Sequence, residues 1–442
     1  MDTPIYDFLR KYAASGVLRA HMPAHKGREI FPDGLSSALD ITEICGADSL
    51  FEASGIIRES ERGMAELYGS ADTFYSAAGS TLCIQAMLAA MKQEGRKVIA
   101  VRNVHRAFLN AAALLGLDVE WVMPDYTDGI LSGTIDPADI ERALAETPNA
   151  CVYLTSPDYT GRMADIRGIA EICRSHGVPL LVDNAHGAHL HFLPESSHPI
   201  ALGADICCDS AHKMLPALTG AAMLHTSSGR YAGVLRQCMS LFASTSPSYL
   251  IMASLDFCSR YISERIRADI AVNLACIDEL RRAFSGRLIF AEGDPFHVTV
   301  KAAESGYDGT ELAELLRSGG VECEYADRAL VILLMSPMNT PADYERLTSA
   351  LDSALAAAHR HEPRSDRAAL TLPRRAMSIR EAAFSPSEEI PVEAAEGRIC
   401  AAVKVPCPPA VPIAASGEVI DRGCIDVFKR YGIATVNVVV RE

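Results

Sequence analysis

From Lys97 to His225 the chain alternates short apolar runs with helix-patterned stretches, and this rhythm constrains the fold more than any other feature. Lys97 to Val101, Val119 to Met123, Ala150 to Leu154, Pro179 to Val182, Ala204 to Cys208 and Ala221 to His225 read as strands. Between them, residues 107–116, Pro137 to Ala145 and Asp165 to His176 read as helices. Short, nearly continuous apolar runs suit strands covered on both faces, so the pattern predicts an α/β class with a mostly parallel central sheet and helices on both faces. Ligand sites in such sheets gather beyond the carboxyl ends of the strands. His105, Thr155, Asp183 and Lys213 all fall at those ends.

A chain of 442 residues is too long for one ordinary core. We expect an N-terminal segment at 1–70, a large domain at 71–285, a smaller α/β domain at 286–358, a linker at 359–375 and a C-terminal α+β domain at 376–442. Within these, a short helix from Ile5 to Ala14, a helix over 58–68, a long helix from Tyr249 to Arg267, and helices 309–318 and 341–357 are predicted, with strands at 297–302, 321–325 and 329–334. The net charge of −15 argues against nucleic acid as a partner, because phosphate backbones are met by a surplus of Lys and Arg. No apolar run reaches membrane-spanning length, and the N-terminus lacks the basic and apolar regions of a signal peptide. The 13 cysteines include no C-x-x-C pair; Cys83, Cys151, Cys207 and Cys208 sit in apolar runs and read as reduced core thiols of a cytoplasmic protein, with no metal site expected.

The chemistry centres on Asp209-Ser-Ala-His-Lys213. A lysine just past a buried strand can lose its proton in a desolvated pocket and hold an aldehyde cofactor as an imine. A solvated lysine is the commoner fate, so the upstream partners decide. Asp183 ends another apolar strand, where a carboxylate is costly unless it meets a cation such as a protonated pyridine nitrogen; an Asp bonded to its own loop is the plain alternative. Ala185 is small enough to lie against a flat ring, and His105 could stack on the opposite face. Gly79-Ser80-Thr81 opens a long apolar helix, Leu82 to Met91, and offers free N–H groups and two hydroxyls to a phosphate; a simple cap is the rival. His21-Met-Pro-Ala-His25-Lys26-Gly-Arg28 is either a site lining or an ordinary loop.

Together these stretches supply each contact that pyridoxal 5′-phosphate needs, in the chain order of a fold-type I enzyme. With Asn103-Val-His105, Thr155-Ser-Pro-Asp-Tyr-Thr-Gly161, Asp183-Asn-Ala-His186-Gly-Ala-His189, Ser210-Ala-His-Lys213, Ser244-Thr-Ser-Pro-Ser-Tyr249 and Gly397-Arg398, the chain resembles the ornithine/lysine/arginine decarboxylase family, in a short form without the N-terminal wing domain. The resemblance implies that Lys213 forms the imine with the cofactor and Asp183 pairs with its pyridine nitrogen. His105 and Ala185 would cover the two ring faces, with His186 also at the cofactor. Gly79, Ser80, Thr81, Ser210 and His212 would cradle the phosphate. Ser246 would reach the site of a partner subunit, which implies a homodimer or an assembly of dimers. The sequence departs from the family pattern at Asn184, where Glu is usual, at Ala24, where Gly is usual, and at Cys407 and Ala410 in the Pro-rich stretch.

The expected reaction is loss of CO2 from arginine, lysine or ornithine to give a polyamine-type amine, with Lys213 or His212 returning a proton to the α-carbon. Glu418, or an acidic residue of the other subunit, is a candidate for the cationic end of the substrate. An aminotransferase or a carbon–carbon lyase is the nearest rival, since the same cofactor set serves both; a non-catalytic pyridoxal-phosphate protein is a more distant one. No arginine clamp for the substrate α-carboxylate is evident, which favours decarboxylation.

Overall fold

The computed structural model describes residues 12–31, 34, 39–365, 370–402 and 411–440. Most of the Ile5–Ala14 helix and the Pro406–Ala410 stretch lie outside these residues. In chain order the strands used below are β1 (Leu18–Ala20), β2 (Asp72–Ser76), β3 (Lys97–Val101), β4 (Val119–Val122), β5 (Asp125–Asp128), β6 (Ser132–Thr134), β7 (Ala150–Thr155), β8 (Leu180–Asp183), β9 (Ile206–Asp209), β10 (Ala222–Thr226), β11 (His297–Val300), β12 (Val321–Cys323), β13 (Tyr325–Ala326), β14 (Val331–Leu334), β15 (Ser387–Pro391), β16 (Cys400–Ala402) and β17 (Thr435–Val439).

Seven strands form the central sheet, in the order β2-β10-β9-β8-β7-β3-β4. Pairing from β4 through β9 is parallel, and β10 runs antiparallel to both its neighbours. Residues of β7, β8 and β9 such as Val152, Leu181 and Cys207 are fully buried, which is why these strands lack polar alternation. The helices Gly79–Gln93 and Arg106–Leu115 form part of the core on one side, around Met87 and Phe108. The helix Ile166–Ser175 packs on the other side, with Ile169 against Val152 and Val182. A three-stranded antiparallel sheet, β11-β14-β13, makes the smaller unit, and β15-β17-β16 makes a C-terminal one. β1 pairs in parallel with β12, so the N-terminal segment is stitched to the smaller unit.

The structure departs from the sequence reading at several places. The strand expected at 321–325 is two, Val321–Cys323 paired with β1 and Tyr325–Ala326 paired with β14. Asp72–Ser76, to which the sequence reading assigns no strand, is a buried edge strand. Its polar residues are tolerated because Arg58 donates two hydrogen bonds to Asp72, at 2.6 and 2.8 Å, and Thr73 pairs with His225 at 2.8 Å. The helix predicted from Tyr249 to Arg267 is two helices, Tyr249–Glu264 and Ile266–Ala283, broken at Arg265, whose φ is −135°. The β5–β6 hairpin was not anticipated.

The C-terminal unit is fixed to the sheet by a buried ion pair. Arg102, directly after β3 and fully buried, reaches Glu418 through two hydrogen bonds of 3.0 and 2.7 Å and lies over the Trp121 ring at 4.7 Å. Glu418 also accepts from the Ala415 N–H at 2.7 Å. The helix Ile379–Phe384 adds Arg380, which donates to the Leu114 carbonyl at 2.6 Å.

Candidate active site

Beyond the carboxyl ends of β3, β7, β8 and β9 lies a cavity of about 530 Å³, its open mouth included. Ser80, Asn103, His105, Thr155, Asp158, Tyr159, Asp183, Ala185, His186 and Lys213 line it, with Leu131 and Val411 contributed from outside the sheet. The strand-end placement is that of ligand sites in open α/β sheets. Lys213 and Asp183, the two groups on which the sequence reading depends, open onto the same cavity.

Asp183 ends β8 and is only 2 % exposed. It accepts from the Ala185 N–H at 3.2 Å, from the Tyr153 hydroxyl at a long 3.4 Å and from the Cys208 thiol, a weak donor, at 3.6 Å. Burial pushes its carboxyl up, and the charge of Lys213 pulls it back. A buried carboxylate held this loosely suits a cation delivered by a ligand. Lys213 lies in the short helix Ala211–Met214, and its Nζ is 2.9 Å from His186 Nε2. Burial, followed by the charges of Lys213, His297, His105 and His212, drives His186 well below the ordinary imidazole range.

His105 caps the helix Arg106–Leu115: its Nδ1 accepts from the Ala107 N–H at 3.1 Å. Burial first, then Lys213 and Arg106, lower it to about 4, so the ring facing the cavity is neutral. Ser210 donates to Ser80 at 2.9 Å, bringing two hydroxyls together at the start of the helix Gly79–Gln93, which has no side-chain cap. The Gly79 N–H is taken by the Gly220 carbonyl at 2.8 Å, so the anion-binding share of this helix start falls to the N–H groups that follow and to the two hydroxyls.

Other expected site residues lie apart from this lining. Thr81 is exposed. His212 turns Nδ1 to the Ala221 carbonyl at 2.9 Å, and burial lowers it to about 4. Ser246 is exposed and outside the cavity of its own chain. Glu418 is corrected outright as a candidate for the substrate's cationic end, because both its oxygens are spent on buried Arg102. The His21–Arg28 stretch is a clamp and does not line the cavity: Lys26 donates to the His21 and Leu334 carbonyls at 2.8 and 2.7 Å, Arg28 pairs with Asp343, and the Ala24 N–H donates to the His212 carbonyl at 2.9 Å.

Sequence reasoning missed Asn103, Leu131, Asp158, Tyr159 and Val411 as lining, although Asn103 and Asp158-Tyr159 stand in stretches it quoted. It also missed His297 and Asp294, which stand behind His186. Asp294-Pro295 marks a turn next to a strand, but nothing local aims it at residue 186.

Residues 3–300 match the model of the Orn/Lys/Arg decarboxylase major domain, and residues 363–431 match that family's C-terminal domain. The chain belongs to the Orn/Lys/Arg decarboxylase family. An arginine decarboxylase of Bacillus subtilis is 30% identical over 449 residues, covering 95% of this chain and 91% of that protein. One from Halalkalibacterium halodurans is 30% identical over 452 residues, with coverage of 95% and 91%. Among solved structures, lysine decarboxylase A from Pseudomonas aeruginosa superposes with a TM-score of 0.75 at 18% identity, covering 90% of this chain and 73% of that one. A Francisella novicida lysine decarboxylase gives 0.72 at 17%, covering 92% and 74%. Those two likenesses establish the fold, which is that of fold-type I enzymes. As a member of the family, the chain is a decarboxylase of a basic amino acid.

Proposed function

We propose that this decarboxylase releases CO2 from arginine, using pyridoxal 5′-phosphate carried on Lys213. The observation that carries the cofactor reading is the meeting of Lys213 and Asp183 in one strand-end cavity. The choice of arginine is supported by the near full-length relatives named arginine decarboxylase.

The residues fit the cofactor. Lys213 supplies the amine, Asp183 the buried anion for the pyridine nitrogen, and the uncapped N-terminus of Gly79–Gln93 with the Ser80 and Ser210 hydroxyls the phosphate cradle. When bound, the cofactor supplies an electron sink for the bond to the departing carboxylate. The chain's own share is orientation and electrostatics. Asp183 holds negative charge where a ring cation is stabilised. Neutral His105 and the small Ala185 bound the slot. Leu131 and Val411, both buried, bring apolar surface to its lining, and excluding water strengthens each polar contact inside. Phosphate contacts from His212 and Thr81, and a contribution of Ser246 to a partner's site in a homodimer, complete the reading carried by the family resemblance. The 12 cysteines among the described residues are free thiols, which supports a cytoplasmic location, and the amine expected from arginine is of polyamine type.

The test is direct. Purified protein loaded with pyridoxal phosphate should show a visible band that borohydride abolishes and that Lys213→Ala lacks. CO2 release should then be followed with arginine, lysine and ornithine in parallel. Release from arginine fastest supports the proposal. Amine transfer to a keto acid without gas would replace it with the aminotransferase reading.

A further inference from the structure

His186 is the near end of a buried chain of four groups. Its Nε2 lies 2.9 Å from Lys213 Nζ, and its Nδ1 lies 3.0 Å from His297 Nε2. His297 Nδ1 lies 2.7 Å from one oxygen of Asp294, and His189 Nε2 lies 2.8 Å from the other. His189, His297 and Asp294 are each at most 1 % exposed. The packing is built for this approach. A Cβ on Gly161 would lie 2.4 Å from His297 Cβ, and a Cβ on Gly293 would lie 2.1 Å from the Gly161 carbonyl oxygen. Larger residues at either position would push β11 away from the β7 loop.

The proton positions follow from one anion. Burial raises the Asp294 carboxyl, but His189 and His297 outweigh it and hold the group well below the usual carboxylate range. As a carboxylate it only accepts, so it takes N–H from His297 Nδ1 and from His189 Nε2. His189 Nδ1, which has no hydrogen-bond partner, is then a bare lone pair, a cheaper orphan than a buried N–H. His297 keeps its proton on Nδ1, so its Nε2 accepts from His186 Nδ1–H. His186 Nε2 is thereby left as a lone pair aimed at the lysine amine.

We propose that His186, His297 and Asp294 form a proton relay that takes the proton from the Lys213 ammonium and readies the amine for the cofactor aldehyde. The balance is simple. Lys213 Nζ gives one proton to His186 Nε2, and His186 Nδ1 gives its own to His297 Nε2. The positive charge moves from the lysine to His297, where it stands against the Asp294 carboxylate, and no net charge is created. His186 ends neutral, the state that its burial first, and then the charges around it, favour; the Tyr159 ring packs T-shaped against it with 5.5 Å between centroids. His297 and Asp294 are positioning residues, since they act on Lys213 only through His186. The inference rests on Lys213 being the cofactor lysine.

The experiment follows capture of pyridoxal phosphate by cofactor-free protein as a function of pH, with no substrate present. Borohydride trapping and peptide mass spectrometry identify Lys213 as the site. In His297→Gln the amide can accept from His186 and donate to Asp294, but it cannot carry the proton. Capture near neutral pH should slow by about tenfold, the equivalent of one unit in the amine's pKa, and recover at alkaline pH, so the midpoint moves upward. Asp294→Asn, which removes the anion, should move it the same way and serves if the first variant does not fold. A midpoint equal to that of the wild type in either folded variant overturns the relay, while capture by all forms keeps the cofactor reading intact. Absence of capture by the wild type removes the cofactor reading and the relay with it. Independently, ring spectra of ¹⁵N-histidine-labelled wild type should show His297 protonated on Nδ1; a bare Nδ1 there overturns the relay.

Discussion

Two aspartates end adjacent parallel strands, Asp183 on β8 and Asp209 on β9, and both are essentially closed to solvent. Their partners make them opposites. Asp209 accepts from Asn184 Nδ2 at 2.7 Å and meets His198 Nε2 at 3.1 Å and His225 Nε2 at 3.3 Å. Burial raises its carboxyl, but the two histidines outweigh that and hold it well below the usual range. Among the described residues Asp183 has one N–H donor, at 3.2 Å, and two weak contacts, and burial leaves it raised. The strand end therefore does not set the charge state; the number of donors brought to it does. The saturated aspartate is a fixed part of the scaffold. The undersupplied one is left to the charge of Lys213 and to the cofactor cation proposed above.

The comparison can be broken by exchanging the two. Asp209→Ala strands two buried histidines and the Asn184 amide, and should cost about 3–5 kcal/mol of stability, the scale of a buried pair that loses one partner, read by denaturant unfolding of the cofactor-free protein. Asp183→Asn should instead cost activity: about 10²–10³-fold in kcat, on the scale of one lost electrostatic contact to the reacting system, measured with saturating cofactor. The same variant should leave the cofactor-free protein as stable as the wild type, or more stable by about 1 kcal/mol, because it removes a poorly solvated charge. A matched loss of stability in both variants would erase the distinction. Asn184→Leu, which removes one hydrogen bond to a charged acceptor, should cost about 1.5–3 kcal/mol. The smallest effect is in acid. A carboxyl depressed by folding stabilises above its unfolded pKa of about 3.9, and that stability is lost as pH falls through the folded value. Asp209→Asn should therefore lose less stability than the wild type between about pH 4 and pH 2, whereas Asp183→Asn should not flatten that loss.

The distinction also separates what the sequence shows from what it hides. Strand ends were readable because apolar runs such as Leu180–Val182 stop at a polar residue, and the sites of Asp183, His105 and Lys213 follow from that alone. The donors that decide each charge state were not. His198 and His225 reach Asp209 from a loop and from β10, and the reversed direction of β10 leaves no trace in composition. Asp72 and Thr73 hid a strand because their partners, Arg58 and His225, lie elsewhere in the chain. Glu418 looked available for substrate because Arg102 stands 316 positions away in sequence, and only folding brings the two together. Asn184, a departure from the family's usual Glu, now has a local reason: an amide can donate to Asp209, and a second carboxylate could not.

The Arg102–Glu418 pair has a bearing on how such chains can be rebuilt. The two partners sit in segments that match separate family models, one in the large matched region and one in the C-terminal region. A chimera that swaps the C-terminal region, residues 363–431, between relatives would separate a guanidinium from its carboxylate mate at that joint unless both positions travel as a set. Grafting therefore has to respect this cross-boundary bond, and the seam should be judged by residues 102 and 418 before any loop is trimmed.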